Sequence, residues 1–158
     1  MADRRSRGPK RPRQARGRSR VGERFEAEVG PIAHGGHCVV RLPEPESRVV
    51  FVRHTLPGER VVLRITEGTE GDRFWRADAV EVLEASPARI EPPCVFSGPD
   101  ACGGCDFQHV GLSHQRALKA EVVREQMSRL AKLDVAVTVE PVPGDETGLG
   151  WRTRQRFV

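Results

Sequence analysis

Three of the four cysteines of this chain, Cys94, Cys102 and Cys105, fall within twelve residues, and His109 follows four positions later. In Cys102-Gly-Gly-Cys105 two thiolates are spaced to turn onto one metal, because glycine admits backbone conformations that bring N–H groups toward bound sulfur or metal. Cys94 returns to the same point through the turn signal Ser97-Gly98-Pro99-Asp100. Three chemistries are open at this spacing. One is a [4Fe–4S] cluster, which wants a fourth cysteine from elsewhere. Another is a structural Cys₃His zinc site closed by His109. The third and weakest is a redox dithiol, since no strand precedes the pair and no helix opens directly after it. Cys38 lies in His37-Cys38-Val39-Val40-Arg41, among apolar neighbours, and is expected to be a buried structural thiol.

These residues need elements to hold them. In 158 residues with six Phe, two Trp and no Tyr, one large core is not expected. Alternation predicts short strands at 24–29, 37–42, 48–53, 60–66 and 74–83, separated by Gly/Pro turn signals such as Leu56-Pro57-Gly58. Five such strands predict a small antiparallel barrel of the OB type, followed by α structure, so that the fold class is mainly β with α. Barrels of this type bind single-stranded nucleic acid on one face. Arg53 and His54, after a strand and before a turn, are placed at the barrel rim, where they either contact phosphate or are simply solvated. Trp75, between Arg73 and Arg76, either stacks a base or packs in the core.

Four segments result. Residues 1–19 form a disordered basic tail, 20–85 the barrel, 86–111 a Pro-rich linker with the cysteine segment, and 112–158 the start of another α+β domain. In the last segment Ser113 is expected to cap a helix running to Leu133, with Leu118, Val122, Gln126, Met127, Leu130 and Leu133 on a core-packing face. Strands are expected at 135–139 and from Trp151 on. There Arg152, Arg154 and Arg156 share a face at intervals of about 6.8 Å, a spacing that would track a phosphate backbone or leave a solvated stripe. The pattern stops inside a strand, and the chain is read as the front part of a longer protein.

Charge is concentrated at one end. Residues 1–20 carry nine basic side chains and one acid, and the rest of the chain holds 17 basic and 21 acidic residues, so the overall +4 belongs to the tail. The tail has almost no apolar side chain to offset ordering entropy. It is read as an arm for a polyanion such as RNA, each Arg that meets a phosphate releasing counterions. No secretory signal or apolar run of about 20 residues is present, which predicts a soluble cytoplasmic protein with no membrane partner, acting as a monomer. Clustered cysteines in a reducing compartment favour a metal over disulfides.

The order of these features resembles the N-terminal part of a TRAM-domain RNA uracil-C5 methyltransferase. The resemblance spans residues 20–158 and is carried most specifically by Cys102-Gly-Gly-Cys105-Asp-Phe-Gln-His109 and Arg53-His54-Thr55-Leu56-Pro57-Gly58-Glu59. It implies an S-adenosylmethionine-dependent enzyme making 5-methyluridine in rRNA or tRNA, with the barrel gripping RNA. It implies that Cys94, Cys102 and Cys105, with a fourth cysteine beyond Val158, hold a [4Fe–4S] cluster. Arg152 and Arg154, at the start of the central domain, become substrate contacts. The catalytic nucleophile, the base and the S-adenosylmethionine loops belong to a Rossmann-like domain outside this sequence, so no catalytic or cofactor-binding residue is assigned here. In that family's scheme a cysteine attacks C6 of uracil, a methyl group passes to C5, and the C5 proton is then removed. The chain alone is expected to bind RNA weakly and to be inactive.

Overall fold

A computed structural model describes residues 17–150 and Arg154. Its strands are β1 (Arg24–Glu28), β2 (Ile32–Ala33), β3 (His37–Arg41), β4 (Val49–Arg53), β5 (Arg60–Glu67) and β6 (Phe74–Glu84). They form one sheet in the order β1-β5-β6-β4-β3-β2. The ends of that order are one stretch of chain. β1 pairs with β5, then the chain bends at Gly30-Pro31 and β2 pairs with β3, so the sheet closes on itself. Gly30 donates its N–H to the Val39 carbonyl at 2.9 Å, and a Cβ at Gly30 would sit 2.6 Å from that oxygen. Only glycine allows the two strands to approach so closely.

The strands follow period-two alternation, which puts one set of side chains inside, except in β6, where Ala77, Asp78 and Ala79 are buried in succession beside register shifts with β5. Cys38 and Val40, Val50 and Val52, Val61, Leu63 and Ile65, and Trp75 and Ala77 are all buried. At about 25 cal/mol per Å² of apolar surface, this interior is the main source of the barrel's stability. Trp75 belongs to it, at 2% exposure, with its indole N–H donating to the Thr69 carbonyl at 2.8 Å. It is a core residue and not a base-stacking one. The guanidinium groups of Arg20 and Arg48 lie 5.0 and 5.4 Å from its ring, on the outside.

Three expectations need correction here. The barrel is not wholly antiparallel: β4 and β6 run parallel, with Val50 opposite Trp75 and Val52 opposite Ala77. Ser19, placed in the basic tail, bridges to Thr69, and the Arg18 N–H donates to Glu70, so these residues border the barrel. The linker, read only as a Pro-rich stretch, is also paired along its length. Arg89 pairs with Val110, the Ile90 N–H donates to the His109 carbonyl at 3.0 Å, and the Gly111 N–H to the Ala88 carbonyl at 3.1 Å.

Helix α1 spans Leu112–Gln126 and continues as a π-helical turn over Met127–Ala131. Its N-cap is Gly111, and Ser113 makes no capping bond. Gln115 instead ties the helix to the loop before it, donating to the carbonyls of Phe107 and Val110 at 3.0 and 2.9 Å. The expected apolar face is packed only over its first turns among the described residues, where Leu118 is in the core and Val122 packs against it. Leu118 and Ala120 are buried, but Met127, Leu130 and Leu133 are exposed. Residues 135–139 form no strand, although their burial alternates. No described helix is long and apolar enough to cross a membrane.

Candidate nucleic-acid interface and cysteine segment

The turn from Arg53 to Glu59 joins the barrel to the cysteine segment. Arg53 is aimed at a partner 25 residues away on β6. Its Nε and Nη2 donate to the two carboxylate oxygens of Asp78 at 2.8 and 3.0 Å. Asp78 is buried, so this fork satisfies a carboxylate cut off from water, as a bidentate pair does well. Arg53 is therefore first a structural partner, with its outer edge open to solvent. His54 takes a left-handed backbone (φ 62°), half-buried, with burial holding its pKa below the ordinary value.

Beyond it, Glu59 is fully buried. Arg89 donates to both its oxygens, from Nε at 2.6 Å and Nη2 at 2.7 Å, and also to the His54 carbonyl at 2.8 Å. The N–H groups of Leu56 and Ser86 complete the shell at 2.8 and 3.1 Å. Burial opposes the charge on Glu59, but the Arg89 hydrogen bond and the two backbone donors outweigh it and hold its pKa below the usual carboxylate value. This clamp fastens the linker to the barrel. Sequence reasoning missed it; its only local sign was an acid immediately after the Leu56-Pro57-Gly58 turn.

His109 sits at the other side of the clamp. It is 4% exposed, its Nε2 is 3.3 Å from the Thr55 carbonyl, and burial pushes its pKa down to about 4. The Cys38 thiol donates to the same carbonyl at 3.6 Å, and burial raises its pKa to about 11. Cys38 is the inert interior thiol expected of it. His109 is a packed core residue, turned to the barrel, and this removes it as the ligand that would close a Cys₃His site.

Between Ile90 and His109 the chain loops outward. Ser97 N–H donates to the Cys94 carbonyl at 2.9 Å and Cys102 N–H to the Phe96 carbonyl at 3.0 Å, and the Ala101 N–H closes the expected turn on the Gly98 carbonyl at 3.4 Å. The Gln108 side chain accepts from the Cys94 N–H at 3.1 Å and draws the two ends of the loop together. All four cysteines are free, Cys94 half-buried and Cys102 and Cys105 exposed. Among the described residues no three His, Cys, Asp or Glu side chains are grouped to hold a metal ion. The donor set is nevertheless that of a soft metal: three unpaired thiols on one short, accessible loop. Arg64 of β5 pairs with Asp100 at the loop tip, and Asp106 packs on Gly36 of the β2–β3 turn.

Of the remaining expected contacts, Arg154 is exposed outside any element and Arg152 lies outside the described residues. So do the residues of the basic tail up to position 16 and the rest of the Trp151–Val158 stretch.

Residues 18–80, the closed barrel, match the TRAM domain family. An RNA methyltransferase of Streptomyces coelicolor, itself named as uncharacterized, is 57% identical over 149 residues, which cover 89% of this chain and 32% of the relative. A similarly named protein of Streptomyces avermitilis is 52% identical over 147 residues (87% and 34%). The 23S rRNA (uracil(1939)-C(5))-methyltransferase RlmD of Shewanella amazonensis is 34% identical over 146 residues (92% and 30%). Residues 18–80 thus match a TRAM domain, and the chain as a whole is similar to RNA methyltransferases. It spans about a third of the length of these relatives, and the similarity runs well past the TRAM domain. The clamp between Glu59 and Arg89 thus joins the TRAM domain to a segment that these proteins also share.

Proposed function

We propose that this chain is the RNA-engaging N-terminal portion of an S-adenosylmethionine-dependent RNA methyltransferase acting at C5 of uridine in rRNA or tRNA, in the cytoplasm. The observation that supports it most is the extent of the similarity: 92% of the chain aligns with a 23S rRNA uracil-C5 methyltransferase. On this reading the TRAM domain holds RNA, and no residue of the chain is assigned to methyl transfer or to S-adenosylmethionine.

Cys94, Cys102 and Cys105 are proposed to supply three thiolates to a [4Fe–4S] cluster, the fourth coming from outside this sequence. Their freedom from disulfides and the accessibility of two of them suit that role. When bound, such a cluster cross-links the loop that carries it. His109 is left out of the ligand set because its imidazole is buried against Thr55.

The test uses iron, zinc and acid-labile sulfide content after anaerobic purification, together with methylation of rRNA and tRNA transcripts by the longer gene product. Iron with matching sulfide, lost in Cys102→Ser, and labelled 5-methyluridine are the expected results. Stoichiometric zinc without iron or sulfide would overturn the iron–sulfur assignment, and its loss in His109→Gln would restore the Cys₃His site. A longer product that methylates no RNA would overturn the enzymatic one.

A further inference from the structure

The outer face of the barrel differs sharply from one side to the other. On β1 and β5 it is a lattice of ion pairs: Arg60 bonds Glu26 and Glu84, both at 2.9 Å, with Glu28 and Glu81 exposed nearby on β1 and β6. On β3, β4 and β6 the outward positions are of another kind. One row across the sheet is Arg41–Val49–Phe74, and the next is Val39–Phe51–Arg76. The residues between them in each strand, such as Val40, Val50 and Trp75, point into the core. Phe51 and Phe74 meet edge to face at 5.3 Å, His37 meets Phe51 at 6.4 Å, and the Arg76 guanidinium lies 6.0 Å from the Phe74 ring.

We propose that this face, centred on Phe74 and Phe51 and flanked by Arg41, Arg76 and His37, is the platform on which the TRAM domain stacks bases of single-stranded RNA. The inference deepens the RNA-binding reading above and rests on it. Two aromatic rings on a solvent-facing sheet, one of them 38% exposed, carry a desolvation cost that a stacked base removes. Base–aromatic stacking tolerates any sequence, and neighbouring arginines supply the backbone charge. Arg41 is exposed and makes no ion pair among the described residues, so it is free for a phosphate. Arg76 is held only by an exposed pair with Glu67 at 3.1 Å, the kind worth little in water and readily exchanged. Of the acids beside them, Asp78 is buried under Arg53, Glu67 is paired with Arg76, and Asp106 lies by the Gly36 turn next to His37. A pocket of about 270 Å³ lies beside the arginines, between His37, Arg53, Thr66, Glu67 and Arg76, and gives a displaced base somewhere to go. The β1–β5 side mixes Arg24, Arg60 and Arg64 with its acids and presents no outward ring on which a base could stack.

Binding of a fluorescein-labelled single-stranded 12-mer RNA of mixed sequence, followed by anisotropy across a salt series, tests this on the full 158-residue chain. Phe74→Leu should weaken binding by roughly tenfold with an unchanged salt slope, and Phe74→Tyr should restore it. Arg41→Gln should lower the salt slope by about one. Thermal unfolding that stays at the parent's midpoint shows that each variant is folded, and a Phe51→Leu variant provides a second probe of the rings. Parent-like affinity in both Leu variants would overturn the platform while leaving RNA binding intact. Equal binding of a duplex of the same sequence would reduce the face to a phosphate surface and also overturn it. A parent chain that binds no RNA would instead sink the RNA-binding reading itself.

Discussion

The TRAM barrel and the segment after it solve the problem of stability in opposite ways. In the barrel β3, β4, β5 and β6 each pair with two neighbours, the continuous β1–β2 stretch is shared between β5 and β3, and Val50, Val52, Leu56, Val61 and Leu63 have no exposed surface. After Ile90 only His109, Val110, Leu118 and Ala120 are buried among the described residues, while Val95, Phe96, Leu130 and Val142 lie mostly in solvent. The first region is ordered by its own hydrophobic interior. The second is ordered by what it is tied to: the Glu59–Arg89 clamp, the backbone pairing of residues 88–90 with 109–111, and the Gln115 side chain. Local stability follows buried apolar contact, so the cysteine segment is expected to open long before the barrel does.

The clamp is where that contrast is most easily broken. Glu59→Ala leaves Arg89 half in the protein without its partner and two backbone N–H groups unsatisfied, and should cost about 3–5 kcal/mol in urea unfolding. Hydrogen exchange in residues 86–111 should rise more than in β5 or β6. Leu63→Ala should lower barrel stability by about 2–5 kcal/mol through the cavity it leaves, with the loss of protection concentrated in the barrel strands.

Acid should act through the junction. The folded pKa of His109 lies near 4, below its ordinary value of 6.5, so the unfolded chain binds the extra proton first. Stability is then fully present above about pH 6.5 and falls as the pH drops toward 4, by up to about 3 kcal/mol. His54 and Glu59, both with lowered pKa values, act in the same direction. His109→Gln should flatten that limb of a melting-temperature profile measured between pH 4 and 7. At the small end, Leu130→Ala, at a residue 72% exposed, should change stability by no more than about 0.5 kcal/mol. A larger loss would mean that the helix face is covered in solution, and the contrast between the regions would weaken.

The same contrast explains what was legible in the sequence. Strands such as Val61-Val62-Leu63-Arg64-Ile65 alternate because one face is core, and their limits were readable to within two residues. The parallel pairing of β4 with β6 was not, since it depends on partners more than twenty residues apart. Arg53 looked like a rim contact because Asp78, which claims it, stands on another strand. His109 has zinc spacing from Cys105, yet its position is decided by the pairing of residues 88–90 with 109–111, which turns it inward. Helix α1 has the expected periodicity, but periodicity marks a face and does not supply a cover. The cysteines were visible as a set of donors, whereas their convergence depends on more than spacing.

The backbone pairing at the base of the cysteine loop has a kinetic and entropic side. Bringing together the ends of a free segment of this length costs on the order of 2–3 kcal/mol. Here Ile90 and His109 are already joined by folding of the barrel and its clamp. The three thiols are thereby confined to a small volume, at a high effective concentration toward one another, before anything binds them. A ligand that gathers them has only the loop's internal freedom left to remove, and losing that ligand would return the loop to motion without unfolding the barrel beneath it.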